Sequence, residues 1–304
     1  MTIAAAWVRR INNCEELIFT SDSRLSGGRN IDCCQKILSL PRSDSAICFA
    51  GGSQFAYPLM QQAITSIISY GRAKDRSLDL FDFKGHLLKV FNNLLPNVSS
   101  SLKEMEVPDA SFIFGGYSWQ SKVFELWTVK FDKNARSFVA VPANRWTRSN
   151  VPIAFAGDMW KTARDRLIQV LRDRHGIFPN SDVEFGFDWE PFEVVRDLLR
   201  EEAQKEANSL YQSTIGGAPQ IVKIYQHMNC RLLGVYWPSR DDDRVCIAGR
   251  EILPYERPDI WILDPDNKRS SHLLFTPADT TMDEEANKAL QWETSQPPCH
   301  LEQR

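Results

Sequence analysis

The 304-residue chain lacks the features that mark several large protein classes. No apolar run reaches the roughly 18 residues that a spanning helix needs, so no membrane partner is expected. Charge of one sign is not in excess either. The 36 basic and 39 acidic side chains leave a formal charge of -3, too even a balance for a general field that grips phosphate backbones, and nucleic acid is not an expected partner. The seven cysteines are an odd set without a C-x-x-C pair, which argues against both a disulfide framework and a zinc ribbon and leaves reduced thiols. There is no P-loop and no G-x-G-x-x-G, and His175 at a helix end and His227 at a strand end read as surface or capping histidines. No cofactor and no metal are therefore expected. Met1 to Val8 lacks the basic segment and long apolar stretch of a secretory leader, which points to a cytoplasmic chain.

What remains is ordinary globular composition, 43% hydrophobic, 25% charged and 11% aromatic, in a length that suits one large domain or a medium domain with an appendage. Thr2 to Arg9 and Leu17 to Thr20 read as a strand pair, and Ser26-Gly27-Gly28 as a loop. Lys36 to Leu40 and Ala46 to Ala50 read as strands closed by Pro41 and by Gly51-Gly52. Cys48, inside the second of these, has the setting of a small core residue. Leu59, Ala63 and Ile67 recur at helical spacing from Ser53 to Ile68, and Leu80, Phe83, Leu87, Leu88, Phe91 and Leu95 form one stripe on a helix over Leu78 to Leu95.

The second half repeats this order. Ala110 to Gly115, Val123 to Phe131 and Phe138 to Val141 read as strands, followed by Ile153 to Ala156. Helices over Trp160 to Arg174 and Glu190 to Asn208 come next, and then the strand Gln220 to Gln226. Such an order predicts an α+β fold in which two antiparallel sheets pack face to face with helix layers outside, a four-layer αββα sandwich with a small C-terminal β extension. The expected organisation is a domain over 1–228, an appended β unit over 229–276 and a flexible tail over 277–304.

The strongest chemical signal is Thr2 directly after Met1, because methionine aminopeptidases remove a starting methionine when the next side chain is small. It is joined by Thr20-Ser21-Asp22-Ser23-Arg24, Gln35-Lys36-Ile37, Phe49-Ala50-Gly51-Gly52, Ser111 to Tyr117, Ala156-Gly157 before a helix and Gly216-Gly217 before a strand. In these stretches and their order, from about Thr2 to Gln226, the chain resembles the proteasome β-type branch of the N-terminal nucleophile hydrolases, including the bacterial two-component heat-shock protease.

The resemblance implies a threonine peptidase of peptide or protein substrates, assembled as a homo-oligomeric ring with an unfoldase as a further partner. A threonine at the chain start supplies both a hydroxyl nucleophile and an α-amine whose reference pKa, about 7.7–8.0, suits a base near neutral pH. The resemblance places the nucleophile at Thr2, the neighbouring ammonium at Lys36, the carboxylate that holds it at Asp22 and the oxyanion-binding N–H at Gly51. It also places Cys34, Phe49 and Ser53 around the primary side-chain pocket, where Phe49 would make a shallow floor suited to small apolar groups. The chain departs from the family at Ala156, Gln212 and Ile215, where hydroxyl or carboxylate groups would support the amine, and Ser213 and Thr214 are their nearest substitutes. These departures keep open a noncatalytic subunit of the same family, and the chemistry itself would also serve an amidase of small molecules.

Overall fold

The computed structural model describes residues 2–11, 14–27, 29–97, 108–145, 151–178 and 185–272. The tail expected over 277–304 lies outside them. The chain begins with β1 (Ala4–Ile11), β2 (Cys14–Ser21), a short hairpin of β3 (Leu25–Ser26) and β4 (Asn30–Ile31), then β5 (Ile37–Ser39) and β6 (Ser45–Gly51). Helices α1 (Ser53–Ser69), α2 (Gly71–Lys74) and α3 (Leu80–Leu94) follow. Next come β7 (Ala110–Ser118), β8 (Val123–Asp132), β9 (Ser137–Pro142), β10 (Asn144–Arg145) and β11 (Pro152–Ala156). Helices α4 (Trp160–His175) and α5 (Glu190–Asn208) precede β12 (Gln220–Tyr225), β13 (Cys230–Tyr236), β14 (Val245–Ile247), β15 (Arg250–Glu251), β16 (Trp261–Leu263) and β17 (Ser270–His272).

The architecture corrects the four-layer αββα expectation. Among the described residues strand outweighs helix, 35% against 30%, in three mostly antiparallel sheets with only five helices, one of them a single turn. The chain is a β-rich fold. The strands after Asn229, expected as a small C-terminal β extension, add to the larger sheet. β13 pairs antiparallel with β12 and parallel with β16, so the strands after Asn229 continue the sheet that holds β1 and β2 and enlarge it to ten strands. Local hydrophobic patterning identifies each strand but carries no information on which distant strand completes its hydrogen bonds.

β1 and β2 lie in the middle of this ten-stranded sheet, between β11 and β12. Ala4, Ala5, Ala6 and Trp7 are therefore buried on successive residues instead of alternating, because β1 packs against α5 as well as against β6, β7 and β8. The second large sheet has the order β5-β6-β7-β8-β9. Phe49, Phe112, Phe114 and Phe138 from this sheet join Leu59, Ala63, Phe83, Leu87 and Phe91 of α1 and α3 in one core cluster. The helical stripe read from the sequence is thus the face that docks on the sheet. Among the described residues, no helix is long and apolar enough to cross a membrane.

The C-terminal strands are tied to the rest by a buried carboxylate. Glu193 on α5, 4% exposed at its side chain, accepts from Lys268 Nζ at 2.6 Å and from the Arg174 guanidinium on α4. Burial pushes this carboxyl up, but the hydrogen bonds from Lys268 and Arg174 outweigh it and hold Glu193 below its ordinary value. A depressed carboxylate stabilises the fold above its unfolded-state pKa, and the contribution disappears as pH falls through the folded-state value. Glu193→Gln is expected to cost about 1–3 kcal/mol at neutral pH. Thermal melts of wild type and variant should converge in acid, and a gap that persists there would contradict the clamp.

Candidate active site

The site forms where the start of the chain meets three other segments. Ile3, just before β1, exchanges hydrogen bonds with Asp22, just after β2. Asp22 N–H donates to the Ile3 carbonyl at 3.1 Å, and Ile3 N–H donates to Asp22 Oδ1 at 3.2 Å. Ser21 Oγ also donates to the Ile3 carbonyl, at 3.1 Å. These bonds fix Thr2, which is 1% exposed, beside the entry to the third segment at Lys36.

Lys36 is fully buried, at 0% exposure. Its Nζ donates to Thr2 Oγ1 at 3.0 Å and to Asp22 Oδ1 at 2.8 Å. A buried ammonium is tolerable when its charge is paired and its protons have acceptors, and Asp22 meets the first need while Thr2 contributes to the second. Asp22 is itself enclosed. Its Oδ2 accepts from Arg24 N–H at 3.2 Å and from Gly216 N–H at 3.4 Å, so all of its side-chain bonds are accepting. Burial pushes the Asp22 carboxyl up, against the downward pull of Lys36 and of the Ile3 and Gly216 N–H groups.

Thr2, Asp22 and Lys36 are therefore joined by direct bonds. Gly51 ends β6 with φ 95°, and its backbone lies against the Asp109 carbonyl, which leaves no room for a side chain. Cys34 is half-buried and held by its backbone, with its N–H donating to the Ser23 carbonyl at 2.9 Å. Phe49 is fully buried in the core shared with α1 and α3, and its ring meets Tyr57 edge-on at 5.0 Å between centroids. Ser53 is the first residue of α1 and half-buried. Of the groups at the departing positions, Ala156 and Ile215 are buried and Gln212 is exposed. Ser213 Oγ donates to Glu202 Oε2 at 2.7 Å, so that hydroxyl serves α5.

Three parts of the site have weaker sequence signals. Gly157 packs so closely on the chain start that a Cβ there would lie 1.9 Å from the Thr2 carbonyl oxygen. The turn between β14 and β15 brings Gly249 against Ser23, where a Cβ would lie 2.3 Å from the Ser23 Cβ. The C-terminal strands thus brace the loop that carries Asp22. Gln220, the first residue of β12, is 1% exposed and bonds to both the Asp22 and Lys36 segments. A polar residue opening the apolar run Ile221-Val222 is the only hint of it in the sequence.

Burial also separates chemistry from packing among the thiols. It pushes Cys48 up to about 12, consistent with a core role, and the described cysteines are all free. Among the described residues, no group of three or more His, Cys, Asp or Glu side chains is placed to hold a metal ion. His175 Nε2 lies 3.1 Å from Glu190 Oε1, and His227 stacks on Tyr225 at 5.3 Å between ring centroids.

Gly157→Ala adds a methyl group in the path of the Thr2 carbonyl and forces φ 93° on a side-chain-bearing residue. It should cost about 2 kcal/mol or more, measured by denaturant unfolding, and an unchanged midpoint would contradict this packing. No protein-family model matches the chain, and comparison with curated proteins gives no match either.

Proposed function

We propose that this chain is a proteasome-like threonine peptidase that hydrolyses peptide bonds through Thr2 after Met1 is removed. The observation that carries the reading is the buried Lys36 ammonium, bonded at once to the Thr2 hydroxyl and the Asp22 carboxylate. In the proposed reaction the freed Thr2 α-amine takes the proton from Oγ1 as Oγ1 bonds to the substrate carbonyl carbon. The negative charge that forms on the carbonyl oxygen is met by the Gly51 N–H. The C–N bond then breaks, and the leaving amine departs with the proton held by the Thr2 amine. Water attacks the resulting ester, its proton returns through the amine to Oγ1, and the acid product leaves. Lys36 keeps a positive charge next to the amine, which favours the amine's neutral, proton-accepting form.

Peptide or protein substrates, a homo-oligomeric ring, an unfoldase partner and a cytoplasmic setting belong to the same proposal. A shallow side-chain pocket at Cys34, Phe49 and Ser53, with a preference for small apolar groups, is part of the same proposal, and Phe49, fully buried in the core shared with α1 and α3, would have to form its closed floor. The second reading, a noncatalytic subunit, is favoured by Ala156, Ile215 and the engagement of Ser213 with Glu202. These leave the Thr2 amine without the supporting hydroxyl and carboxylate found in the resembled family.

Intact mass and N-terminal sequencing before and after an epoxyketone peptide separate the two readings, because that probe needs both a free amine and its hydroxyl. The peptidase reading expects a chain starting at Thr2 that gains one probe mass, with Thr2→Ala inert and Lys36→Met slowed by about 100-fold or more. A retained Met1 and no adduct would favour the noncatalytic subunit.

A further inference from the structure

Gln220 is a buried amide whose hydrogen-bonding capacity is fully spent on the backbone of the candidate site. Its Oε1 accepts from Lys36 N–H at 2.9 Å and Ile37 N–H at 3.3 Å. Its Nε2 donates to the Asp22 carbonyl at 3.1 Å and the Cys34 carbonyl at 2.8 Å. A side-chain amide has two donor protons and two acceptor lone pairs, so all four positions are occupied. The orientation is also determined, since a flipped amide would set its donors against N–H groups and its oxygen against carbonyls.

The placement follows from sheet pairing. Gln220 stands opposite Ser21 in the β12–β2 ladder, one residue before Asp22, so its side chain reaches across to both the Asp22 loop and the segment that enters β5. Without it, those two segments would still be connected through the Lys36–Asp22 ion pair, the bond between Cys34 N–H and the Ser23 carbonyl, the bond from Ser23 Oγ to the Asp32 carbonyl and the Arg24–Asp32 contact, of which only the ion pair reaches Lys36 itself.

We propose that Gln220 is the positioning residue of this site, an amide bracket that sets the separation of Asp22 and Lys36 and thereby holds Lys36 Nζ on the Thr2 hydroxyl. The inference rests on the peptidase reading for its catalytic consequence. The bracket makes its bonds to backbone groups and acts through Lys36, so it should govern the rate of reaction at Thr2 more than probe affinity. Misplacing a reacting constellation by about 1 Å can cost on the order of 100-fold in rate.

The test uses the full chain with Gln220→Met, which keeps a similar length without the amide, and Gln220→Glu, which keeps acceptors for Lys36 and Ile37. Two readouts are taken, the kinetics of adduct formation at Thr2 with the epoxyketone peptide, in which Oγ1 adds to the ketone and the freed α-amine opens the epoxide, and the 15Nζ NMR signal of Lys36. For Gln220→Met the limiting rate of adduct formation should fall by about 100-fold with little change in half-saturating probe concentration. Gln220→Glu should lose less and approach the wild-type rate toward acid pH, where its protonated carboxyl regains one donor. The Lys36 signal should shift or broaden in both variants.

Wild-type rates of adduct formation in variants that show only lower melting temperatures would overturn the inference and leave Gln220 a packing residue. If Gln220→Met does not fold, an unchanged rate and an unchanged Lys36 signal in Gln220→Glu overturn it equally. Wild type that never forms the adduct defeats the peptidase reading instead. The Lys36 signal then decides whether the bracket positions that ammonium, an altered signal supporting it and an unaltered one overturning it.

Discussion

A lysine ammonium removed from water costs several kcal/mol unless the protein supplies its counter-charge and hydrogen-bond acceptors in fixed positions. Lys36, with no exposed surface, imposes this requirement on its surroundings. Asp22 meets it with a carboxylate at 2.8 Å, and the carboxylate is in turn enclosed by N–H groups of Ile3, Arg24 and Gly216. Each donor comes from a segment placed by the large sheet. The chain start, the end of β2 and the turn before β12 therefore meet at one charge pair, and the Thr2 hydroxyl takes a place within its hydrogen-bond network.

Around that pair the structure adds a second, more peripheral ionic brace. Arg24 makes a two-pronged contact to Asp32, at 2.5 and 2.7 Å, and reaches Glu206 on α5 at 2.5 Å and the Ser213 carbonyl at 3.0 Å. Its hydrogen bonds with Asp32, reinforced by Glu206, raise the guanidinium pKa further above its already high value, against the opposing effect of burial. The loop between α5 and β12 is thus pinned to the segment carrying Asp22. On the opposite flank, the Gly249 turn packs on Ser23. The C-terminal strands consequently belong mechanically to the same sheet and site surroundings.

How much of this could be read from the sequence depended on the range of the physical cause. The stripe from Leu80 to Phe91 and the caps of strands at Gly51 and Gly157 are local signals, and helices and strands occur close to their expected positions. Thr2, Asp22 and Lys36 are grouped in the sequence only by resemblance, and in the structure Lys36 Nζ bonds to both the Thr2 hydroxyl and the Asp22 carboxyl. Layering was not legible. The strands after Asn229 are apolar and short in either arrangement, and only long-range pairing with β12 makes them part of a ten-stranded sheet. Gln220 was missed for the same reason, because its four backbone partners lie more than 180 residues away in sequence.

The central feature is geometric, Lys36 placed between the Thr2 hydroxyl and the Asp22 carboxyl. A high-resolution crystal structure of protein whose N-terminus has been verified as Thr2 tests it most directly. The account predicts Lys36 Nζ within hydrogen-bonding distance of both Thr2 Oγ1 and Asp22 Oδ1, with the freed α-amine facing the same hydroxyl. Lys36 turned away from Thr2, or Asp22 paired elsewhere, would contradict it.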